Sequence, residues 1–557
     1  MKTMKQVKFI IIFLGVITAS SCSKKYLERF PLDSPSTATF LSSEAELDMA
    51  VTGSYQPLQF IGEDAVPFIL TLEYVSDNGW ERNPNQLQII GKGIATSDNG
   101  YAKTVWDALY VGVSRCNFIL SNADRLNGVV AVDKLDRVLG EVRFLRAYYY
   151  FYLNEVFGGV PLLTKTVSLA ESQVARNTKE EVVNFIISEM DAIASALPVV
   201  AGQMGRVTRG ASLELKSRTA LFNKKWDAAA KAASDLMQLG SNELHGNYGE
   251  IFTYSGMTSR EIIFAIQYLR SMGTHGISRR FYSRTANGFS SKVPAQVVVD
   301  SYECTDGLTI DKSPLYDPAK PWDNRDPRLN FSVVLPQTRF IGYVFETHPD
   351  SLLTWDYNGS VPQRVANADA INPLATFTGY LWRKYASPED LNNIDQPDVN
   401  VIVFRYAEIL LNYAEAKVEL NQIDQSVYDA INLIRERPSV SMPPIAAGKT
   451  QDEMRFIVRR ERRSELAGEG VRWFDIRRWE LAETVMNGPL LGRIRDRFLS
   501  NAPRVDENGL PHYENVTNAD MMRVIETRTF KKDRDNVWPI PQLELETNKA
   551  LVQNPNY

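Results

Sequence analysis

Residues 141–157 have the sequence EVRFLRAYYYFYLNEVF, and the next four residues are GGVP. Apolar and aromatic side chains recur here at intervals of three and four, which is the period of an α-helix with one buried face. These side chains are Val142, Leu145, Tyr149, Tyr152, Leu153 and Val156. Gly158 and Gly159 predict the end of the helix, because glycine is favoured just after a helix C-terminus. The stretch therefore predicts a long helix that packs into the core.

Further helices are predicted in pairs joined by short connections. Residues 208–239 contain one pair, which is separated by the connection 223–225. The same layout returns in residues 404–420 and 425–435. Small and aromatic residues in such pairs resemble tetratricopeptide repeats, although generic helical hairpins would give the same pattern. The predicted fold class is mainly α: an α-α superhelix with tetratricopeptide-like helix pairs.

A long internal region has a different composition. Residues from about 240 to about 400 are rich in Gly, Asn, Pro, Ser and Asp, and a short strand is predicted at 262–266. Loops this long in a compact protein are usually functional. We therefore expect a helical scaffold over about 35–240 and 400–557, with a loop-rich inserted ligand-binding part between them.

Composition and charge exclude several classes of protein. The 557 residues are 44% hydrophobic and 23% charged, which is ordinary for a globular chain and excludes a mainly disordered or polytopic membrane protein. The formal net charge of −5 gives no electrostatic attraction for nucleic acid. With 3 Cys and 4 His, neither a disulfide scaffold nor a zinc site is expected, and no cofactor is predicted. A Cys116–Cys304 disulfide and a calcium ion held by loop oxygens both remain open.

The N-terminus has the features of an export signal. Three lysines precede the apolar run 9–18, which is too short to span a bilayer. The small residues 19–21 and then Cys22 resemble a bacterial lipobox, although Ala19 stands where a larger aliphatic residue is usual. We predict a lipoprotein signal peptide over residues 1–21 and lipidation of Cys22, which would anchor the body 22–557 to a membrane. An ordinary signal peptide followed by a chance cysteine is the alternative.

Several short blocks are spread along the chain from just after Cys22 to the C-terminus. They are YLERFPLD (26–33), FLRAYYYF (144–151), FGGVPL (157–162), NRDPRL (324–329), RYAEILLNYAEA (405–416), ERRSELAGEGVRWFDIRRW (461–479), WPIPQ (538–542) and QNPNY (553–557). Together and in this order, they resemble the SusD/RagB family of Bacteroidetes outer-membrane lipoproteins. The resemblance implies an α-superhelical fold of four tetratricopeptide-like units with an inserted ligand-binding part.

The resemblance also implies a function that is not enzymatic. Such a protein captures an oligosaccharide or polysaccharide at the cell surface, held on the outer membrane by its lipid, and delivers it to a SusC-like TonB-dependent barrel. A RagB-like branch handles peptides instead, and that alternative stays open. Two other classes also stay open: a glycoside hydrolase with Asp77 and Glu81 as acid and base, and a scaffold that binds only partner proteins.

The charged blocks favour structural roles. Residues 325–328 and 461–479 hold both signs of charge, and Arg472 is within helical reach of Asp475. We interpret them as ion-paired networks that hold helices together, rather than as catalytic carboxylates. Every second residue of the segment 538–541 is a proline, which predicts a rigid extended stretch docked on the body.

The resemblance does not supply the ligand contacts, because in the family these lie in loops outside the shared blocks. A sugar offers an apolar face to an aromatic ring and hydroxyl groups to polar side chains. In the loop 77–84, Trp80 is the predicted stacking platform, with Asp77, Asn78 and Arg82 hydrogen-bonding to hydroxyls. The alternative is that Trp80 folds back onto the body.

Two more loops offer aromatic and basic residues. The candidates in residues 279–289 are Tyr282, Arg284, Asn287 and Phe289, and those in residues 355–359 are Trp355 and Tyr357. For both loops, a purely structural role is the alternative. If these residues hold one ligand, all three loops should approach one face. The arginines of the second loop would suit an anionic sugar.

Overall fold

Long α-helices form the scaffold of residues 40–557, the range that this computed structural model describes. They are α1 (Glu44–Tyr55), α2 (Gly100–Ser121), α3 (Val132–Phe157), α4 (Lys179–Ile193), α5 (Arg209–Phe222), α6 (Trp226–Leu239), α7 (Tyr406–Glu419), α8 (Gln425–Arg435) and α9 (Gln451–Leu466). The prediction of a mainly α fold is confirmed. The predicted signal peptide and the lipidation site Cys22 lie outside the described residues.

The stretch 141–157 forms the second half of α3, which ends at Phe157 as predicted. Gly158 follows with a φ of 76°, a left-handed value that glycine adopts without steric cost. Close packing explains a second glycine: a Cβ atom on Gly112 of α2 would lie 2.5 Å from the ring of Tyr149. The two helices therefore approach each other around that aromatic ring.

The helices pack as a continuous series of neighbours. Each of α2, α3, α4, α5 and α6 contacts the next, and α6 contacts α7 although the whole inserted region separates them in sequence. The helix α6 supports this close contact with the small buried residues Ala229, Ala232 and Ala233. The chain after the insert therefore continues the superhelix begun before it.

Strands are short and pair only in antiparallel ribbons and one small sheet. They are β1 (Gly79–Glu81), β2 (Ile262–Ile266), β3 (Lys292–Pro294), β4 (Val333–Val334), β5 (Thr338–Phe340), β6 (Tyr343–Phe345), β7 (Leu353–Asp356), β8 (Gln363–Ala366), β9 (Leu381–Trp382), β10 (Val401–Arg405), β11 (Gly488–Gly492), β12 (Arg504–Val505), β13 (Pro511–His512) and β14 (Arg523–Arg528). The ribbons are β1–β3, β2–β10, β4–β9, β11–β14 and β12–β13, and the sheet has the order β5-β6-β7-β8.

Short helical segments complete the described chain. The α-helical ones are Phe68–Thr71, Gln86–Gly91, Ile277–Phe281, Gln296–Ser301, Arg328–Ser332, Ala368–Ile371, Arg472–Arg478, Ala482–Val485, Lys532–Asp535 and Gln542–Thr547. The 3₁₀ turns are Gln56–Gln59, Glu63–Ala65, Leu72–Val75, Ala123–Leu126, Leu169–Glu171, Glu250–Phe252, Tyr254–Thr258, Pro388–Asp390 and Ala519–Met521. Strands β2 to β9 fall in the predicted loop-rich region. The prediction extends the helical scaffold to residue 557. Beyond Arg478 the chain instead forms antiparallel ribbons and short helices, because Gly and Pro interrupt longer helices.

A buried ionic network joins the insert to the C-terminal helices. The carboxylate of Glu465 accepts hydrogen bonds from Arg405 (2.6 Å), Arg437 (2.9 Å) and Arg328 (3.0 Å). Glu461 binds Arg328 as well, at 2.5 Å. Burial opposes ionisation of Glu465, but the three guanidinium groups hold its pKa well below the usual range. The predicted interpretation of these charges as an ion-paired network is therefore confirmed.

One predicted partner in the charged block is wrong. Arg472 binds Asp77, with Nε to Oδ1 at 2.8 Å, and not Asp475. Asp475 instead accepts from Arg462 at 2.9 Å. The tertiary fold brings the loop before β1 against α9 and the helix after it, and this overrides the local helical spacing.

The segment after Asn536 docks on the scaffold, as predicted. The backbone N–H of Trp538 donates to the carbonyl of Val156 at 2.8 Å. The side-chain amide of Asn554 donates to the carbonyls of Trp538 (2.7 Å) and Phe157 (2.9 Å). The last residues thus close over the C-terminal end of α3.

Three further findings concern cysteines, metals and membranes. Cys116 and Cys304 are both buried free thiols, so they form no disulfide. Within residues 40–557, no cluster of three or more His, Cys, Asp or Glu side chains has the arrangement needed to hold a metal ion. In the same range, none of the helices combines the length and the apolar character that crossing a bilayer requires.

We predict that Glu465→Gln lowers the free energy of unfolding by about 3–5 kcal/mol, because three buried guanidinium groups lose their shared charge partner. Equilibrium unfolding in urea measures this. Asp235→Asn is the control, since it breaks the exposed pair with Lys231 at 2.8 Å and should change stability by less than about 1 kcal/mol. Equal effects of the two substitutions would contradict the role given to the network.

Candidate functional site

The first predicted ligand loop lies inside the protein. Trp80 is 5% exposed and pairs with Val293 in the ribbon of β1 and β3. Its indole N–H donates to Glu526 Oε2 at 3.1 Å. The prediction of Trp80 as an exposed stacking platform is wrong, because β3 and β14 cover the loop from two directions. The alternative, in which this ring folds back onto the body, describes the structure.

Asp77 and Asn78 are also buried and fully engaged. Asp77 binds Arg463 at 3.0 Å and Arg472 at 2.8 Å. The amide of Asn78 donates to Glu73 Oε1 at 2.8 Å, and its oxygen accepts from Arg463. Burial raises the pKa of Asp77, but the two arginines outweigh that effect and lower it to about 2. These side chains hold the core together and are not available to a sugar.

The second loop divides into a buried and an exposed half. Tyr282 is 0% exposed and its hydroxyl donates to the carbonyl of Ser387, so its prediction as a ligand contact is wrong. Asn287 is exposed, and Arg284 and Phe289 are half-buried. Burial of the phenol inside the body explains why the first part of this loop is structural.

Arg82 links the first loop to the second. Its Nη1 donates to the carbonyl of Phe289 at 2.7 Å and also to the carbonyl of Leu374. Arg284 Nε donates to the same Leu374 carbonyl at 3.0 Å. Two of the three predicted loops therefore meet at one partly exposed segment, residues 372–377.

The third predicted pair stands on the four-stranded sheet. Trp355 lies on β7 and is 39% exposed, and Tyr357 follows that strand. Their ring centroids are 6.3 Å apart. Arg364 of β8 lies over Trp355 at 5.1 Å, and Arg339 of β5 lies over Tyr357 at 4.7 Å. This pair is a surface of its own, and its role as a ligand contact stays a prediction.

The structure contains a cleft that the sequence analysis missed. Its volume is about 230 Å³. The lining residues are Thr347, Asp369, Ala370, Asn372, Pro373, Ala375, Thr376, Phe377, Gly379, Arg493, Arg495 and Arg523. It therefore lies between the segment 372–377, where the first two predicted loops meet, and the ribbon of β11 and β14.

The ribbon register brings the cleft arginines together. Arg523 pairs with Gly492 across β11 and β14, so Arg493 and Arg495 follow directly beside it. The N–H of Arg493 donates to the carbonyl of Thr378 at 2.9 Å. Gly379 has a φ of 85°, and a Cβ atom there would lie 2.4 Å from Arg493 Cδ. The absence of a side chain at position 379 therefore leaves room for the side chain of Arg493.

Aromatic rings stand beside these guanidinium groups. Arg523 lies over the half-buried ring of Phe377, with Cζ 3.9 Å from the centroid. Trp80 supports that ring from below, edge-on at 5.5 Å. Arg493 lies over Phe498 at 5.5 Å and over Trp322 at 5.7 Å, in an adjoining smaller hollow. The half-buried ring of Phe377 thus lines the cleft itself, and the rings of Trp322 and Phe498 line the adjoining hollow, which shares Arg493 with the cleft.

The charge of the cleft is predominantly positive. Partial burial, together with the neighbouring charge of Arg495, lowers the pKa of Arg523. Arg493 Nη1 donates only to the neutral hydroxyl of Thr347, at 2.9 Å, and Arg495 Nη2 to the carbonyl of Ala370, at 3.1 Å. A concave surface with aromatic walls and a few converging polar groups is the usual form of a ligand site.

One pattern in the sequence pointed to this place. Arg493, Arg495 and Arg497 alternate, and an extended segment directs alternate side chains to one face. The rings of Trp322, Phe377 and Phe498 come from segments far apart, so spacing alone could not join them.

A larger hollow elsewhere is a weaker candidate. It measures about 490 Å³, and its lining includes Met204, Tyr254 and Tyr268. Its charged groups neutralise each other, since Arg270 binds Asp398 at 3.1 Å. It therefore offers a ligand fewer free polar groups than the arginine-lined cleft does.

Comparison with known proteins identifies the family. The chain matches the sequence profile described as "SusD family" over residues 260–557. A second profile, described as "Starch-binding associating with outer membrane", matches residues 25–221. This chain belongs to the SusD family. Among curated relatives, SusD-like protein P2 of Formosa agariphila is 26% identical over 577 aligned residues, covering 100% of both chains.

Solved structures share the fold. A SusD-like carbohydrate binding protein from Bacteroides fragilis is 31% identical, with a TM-score of 0.79 over 92% of this chain and 100% of the other. Surface glycan-binding protein A from Bacteroides thetaiotaomicron, solved in complex with laminarihexaose, has a TM-score of 0.67 at 19% identity, over 92% of this chain and 100% of that one. The second likeness shows the fold alone.

We predict that the stabilising effect of Asp77 depends on pH. Because its pKa falls from an ordinary 3.8 to about 2 on folding, its ionised form contributes about 2 kcal/mol at neutral pH, and this is lost as pH falls through both values. Asp77→Asn should therefore destabilise the protein most above about pH 5, and the difference should fall by about half by pH 3. Urea unfolding of both proteins across this range measures it, with the exposed Asp107→Asn as control. A difference that stays constant with pH would contradict the assignment.

Proposed function

We propose that this protein is a cell-surface glycan-binding protein that captures an oligosaccharide or polysaccharide without cleaving it. The observation that carries the proposal is the cleft with its adjoining hollow, where half-exposed rings stand beside guanidinium groups. A ring can stack on the apolar face of a sugar, while the guanidinium donors bind oxygens at its edge. This combination supports recognition of a carbohydrate.

The number of carboxyl groups that line the cleft argues against hydrolysis of a glycan. A glycoside hydrolase needs two carboxyl groups about 5–10 Å apart across the scissile bond. Among the described residues that line the cleft, Asp369 is the sole carboxyl group. It accepts backbone N–H groups from Arg284 (2.7 Å) and Thr285 (3.1 Å) and is buried. The candidate acid and base, Asp77 and Glu81, are in the core, where Glu81 pairs with Lys292.

The family comparison supports the same class of ligand. One relative with 31% identity is described as carbohydrate binding, and a more distant one was solved with laminarihexaose. The profile matched by residues 25–221 is described as starch-binding and associated with the outer membrane. A RagB-like preference for peptides is the competing function within the same importer, and a ligand panel separates the two.

Membrane attachment and delivery complete the proposal. The lipobox-like sequence before Cys22 supports a lipid anchor on the outer membrane, facing the outside of the cell. The resemblance to SusD/RagB lipoproteins supports delivery of the glycan to a SusC-like TonB-dependent barrel. In this arrangement the helical superhelix is a rigid support, and the cleft presents the ligand.

We expect Trp322→Ala to weaken glycan binding roughly tenfold, because a stacked aromatic contact contributes about 1 kcal/mol. Isothermal titration calorimetry against laminarin, amylose, xylan, alginate and a peptide mixture first identifies the ligand of the unaltered protein. Trp355→Ala on the sheet is the matched comparison: if the ligand lies in the cleft and its adjoining hollow, this substitution leaves affinity unchanged. If Trp355→Ala abolishes binding and Trp322→Ala does not, the site lies on the sheet instead of in the cleft. Binding of peptides alone would favour the RagB-like alternative.

We expect Cys22→Ala to release the protein from the outer membrane, since a buried acyl chain contributes about 0.8 kcal/mol per methylene and the substitution removes its attachment point. Metabolic labelling with a fatty acid and fractionation of cells measure this. Cys116→Ala is the control, because that thiol is buried in α2. Labelling that persists in Cys22→Ala would contradict the predicted anchor.

A further inference from the structure

In the described part of the chain, the three arginines of the cleft have no charge partner. Within residues 40–557, neither Arg493, Arg495 nor Arg523 forms an ion pair with a carboxylate. Arginines of the core behave differently: Arg405, for example, binds Glu261, Glu465 and Glu469. A guanidinium group has five N–H donors. Within the described residues, Arg493 Nη1 and Arg495 Nη2 donate to protein atoms, so most donors of these three side chains are left for a ligand.

The acidic side chain in the cleft does not neutralise them. Asp369 directs its two oxygens to the backbone N–H groups of Arg284 and Thr285. Burial also raises the pKa of Asp369, which disfavours its charged form. The three guanidinium groups therefore leave the cleft with a net positive charge.

A second pair of arginines extends the positive surface. Arg82 and Arg284 both donate to the carbonyl of Leu374 and, within the described residues, neither has a carboxylate ion-pair partner. Burial and then the charge of Arg284 lower the pKa of Arg82 to about 10. Leu374 belongs to the segment 372–377, which also lines the cleft, so both groups of arginines contact one stretch of chain.

We propose that this cleft binds the anionic group, a carboxylate or a sulfate ester, of an acidic polysaccharide. The inference rests on the proposed glycan-binding function and names its substrate class. Guanidinium groups bind carboxylate and sulfate-like oxyanions through paired N–H donors, which makes them strong and directional partners. The ring of Phe377, held between Trp80 and Arg523, supplies the apolar contact for the same sugar unit.

The size of the site fits one unit of a chain. A volume of about 230 Å³ lies below the range of about 300–1,000 Å³ that is usual for complete small-molecule sites. A polymer with a charge on successive sugars would place one unit in the cleft. A neighbouring unit would then reach the arginines at Leu374.

The test measures affinity for charged and neutral glycans in parallel. Alginate and polygalacturonate oligosaccharides supply carboxylates, ι-carrageenan oligosaccharides supply sulfate esters, and laminarin and amylose are neutral. We expect at least one charged class to bind more tightly than both neutral ones, and the class that binds identifies which anion is recognised. The double variant Arg495→Gln/Arg523→Gln should weaken that binding roughly tenfold to hundredfold, the effect of losing charge-assisted hydrogen bonds.

Two comparisons separate a specific site from general electrostatics and from damage to the fold. Arg523→Gln alone and Arg504→Gln, the latter at an exposed residue of β12, each remove one charge. The first should weaken binding, and the second should leave affinity unchanged. Arg495→Lys/Arg523→Lys keeps the charge without the paired donors and should retain part of the affinity. Binding of the charged glycan to the unaltered protein should also weaken between about 50 and about 500 mM NaCl, whereas binding of a neutral glycan should not.

The outcomes distinguish this inference from the function on which it rests. Tighter binding of neutral glycans, with no effect of the Arg495 and Arg523 substitutions, would overturn the inference and leave glycan binding intact. An equal loss in Arg504→Gln would also overturn it, because the effect would then be one of net charge. If no glycan of either class binds, the proposed function itself fails.

Discussion

The carboxylate of Glu465 is the contact on which the arrangement of this protein depends. It is bound at once by Arg328 from the insert, by Arg405 from β10 and by Arg437 after α8. Leaving a buried charge without partners costs several kcal/mol, so displacement of any one of these segments is strongly disfavoured. Helix α9, the insert and the preceding helix pairs therefore keep one relative position, and the loops of the insert are held on a rigid support.

This rigidity reaches the cleft through a short series of contacts. The block that contains Glu465 also contains Arg463, which binds Asp77 and Asn78 in the loop before β1. That loop leads directly to Trp80, whose edge supports Phe377, the ring on which Arg523 lies. Trp80 thus packs against Phe377 from the core side and holds in place a ring that a ligand can reach. A fixed ring and a fixed guanidinium group lose little conformational freedom on binding, which favours affinity.

The sequence allowed the scaffold to be predicted because its determinants are local. Periodic apolar residues and the glycines after Phe157 predict α3, and the short turn before Gln425 predicts the start of α8. In both cases the signal lies in the residues that form the helix or directly adjoin it. The site depends on contacts across hundreds of residues. Trp80 stands among polar residues and turn formers, but its burial is decided by Val293 and Glu526, which no local pattern connects to it. Composition predicts Arg82, Arg284 and Phe289 as ligand contacts, and these residues do lie close together at the surface. They lie beside the cleft, which is outside the predicted loops.

The cleft arginines carry an energetic cost, because no carboxylate among the described residues offsets their charge. Burial, and then the neighbouring charge of Arg495, lower the pKa of Arg523 and so disfavour its charged form. Several buried arginines elsewhere lie beside carboxylates, for example Arg462 beside Glu408 and Asp475. A local conflict of this kind, in a concave surface lined by aromatic rings, is typical of a site that a ligand completes. An anionic ligand would supply the missing charge, so the same repulsion that destabilises the empty cleft would strengthen its binding.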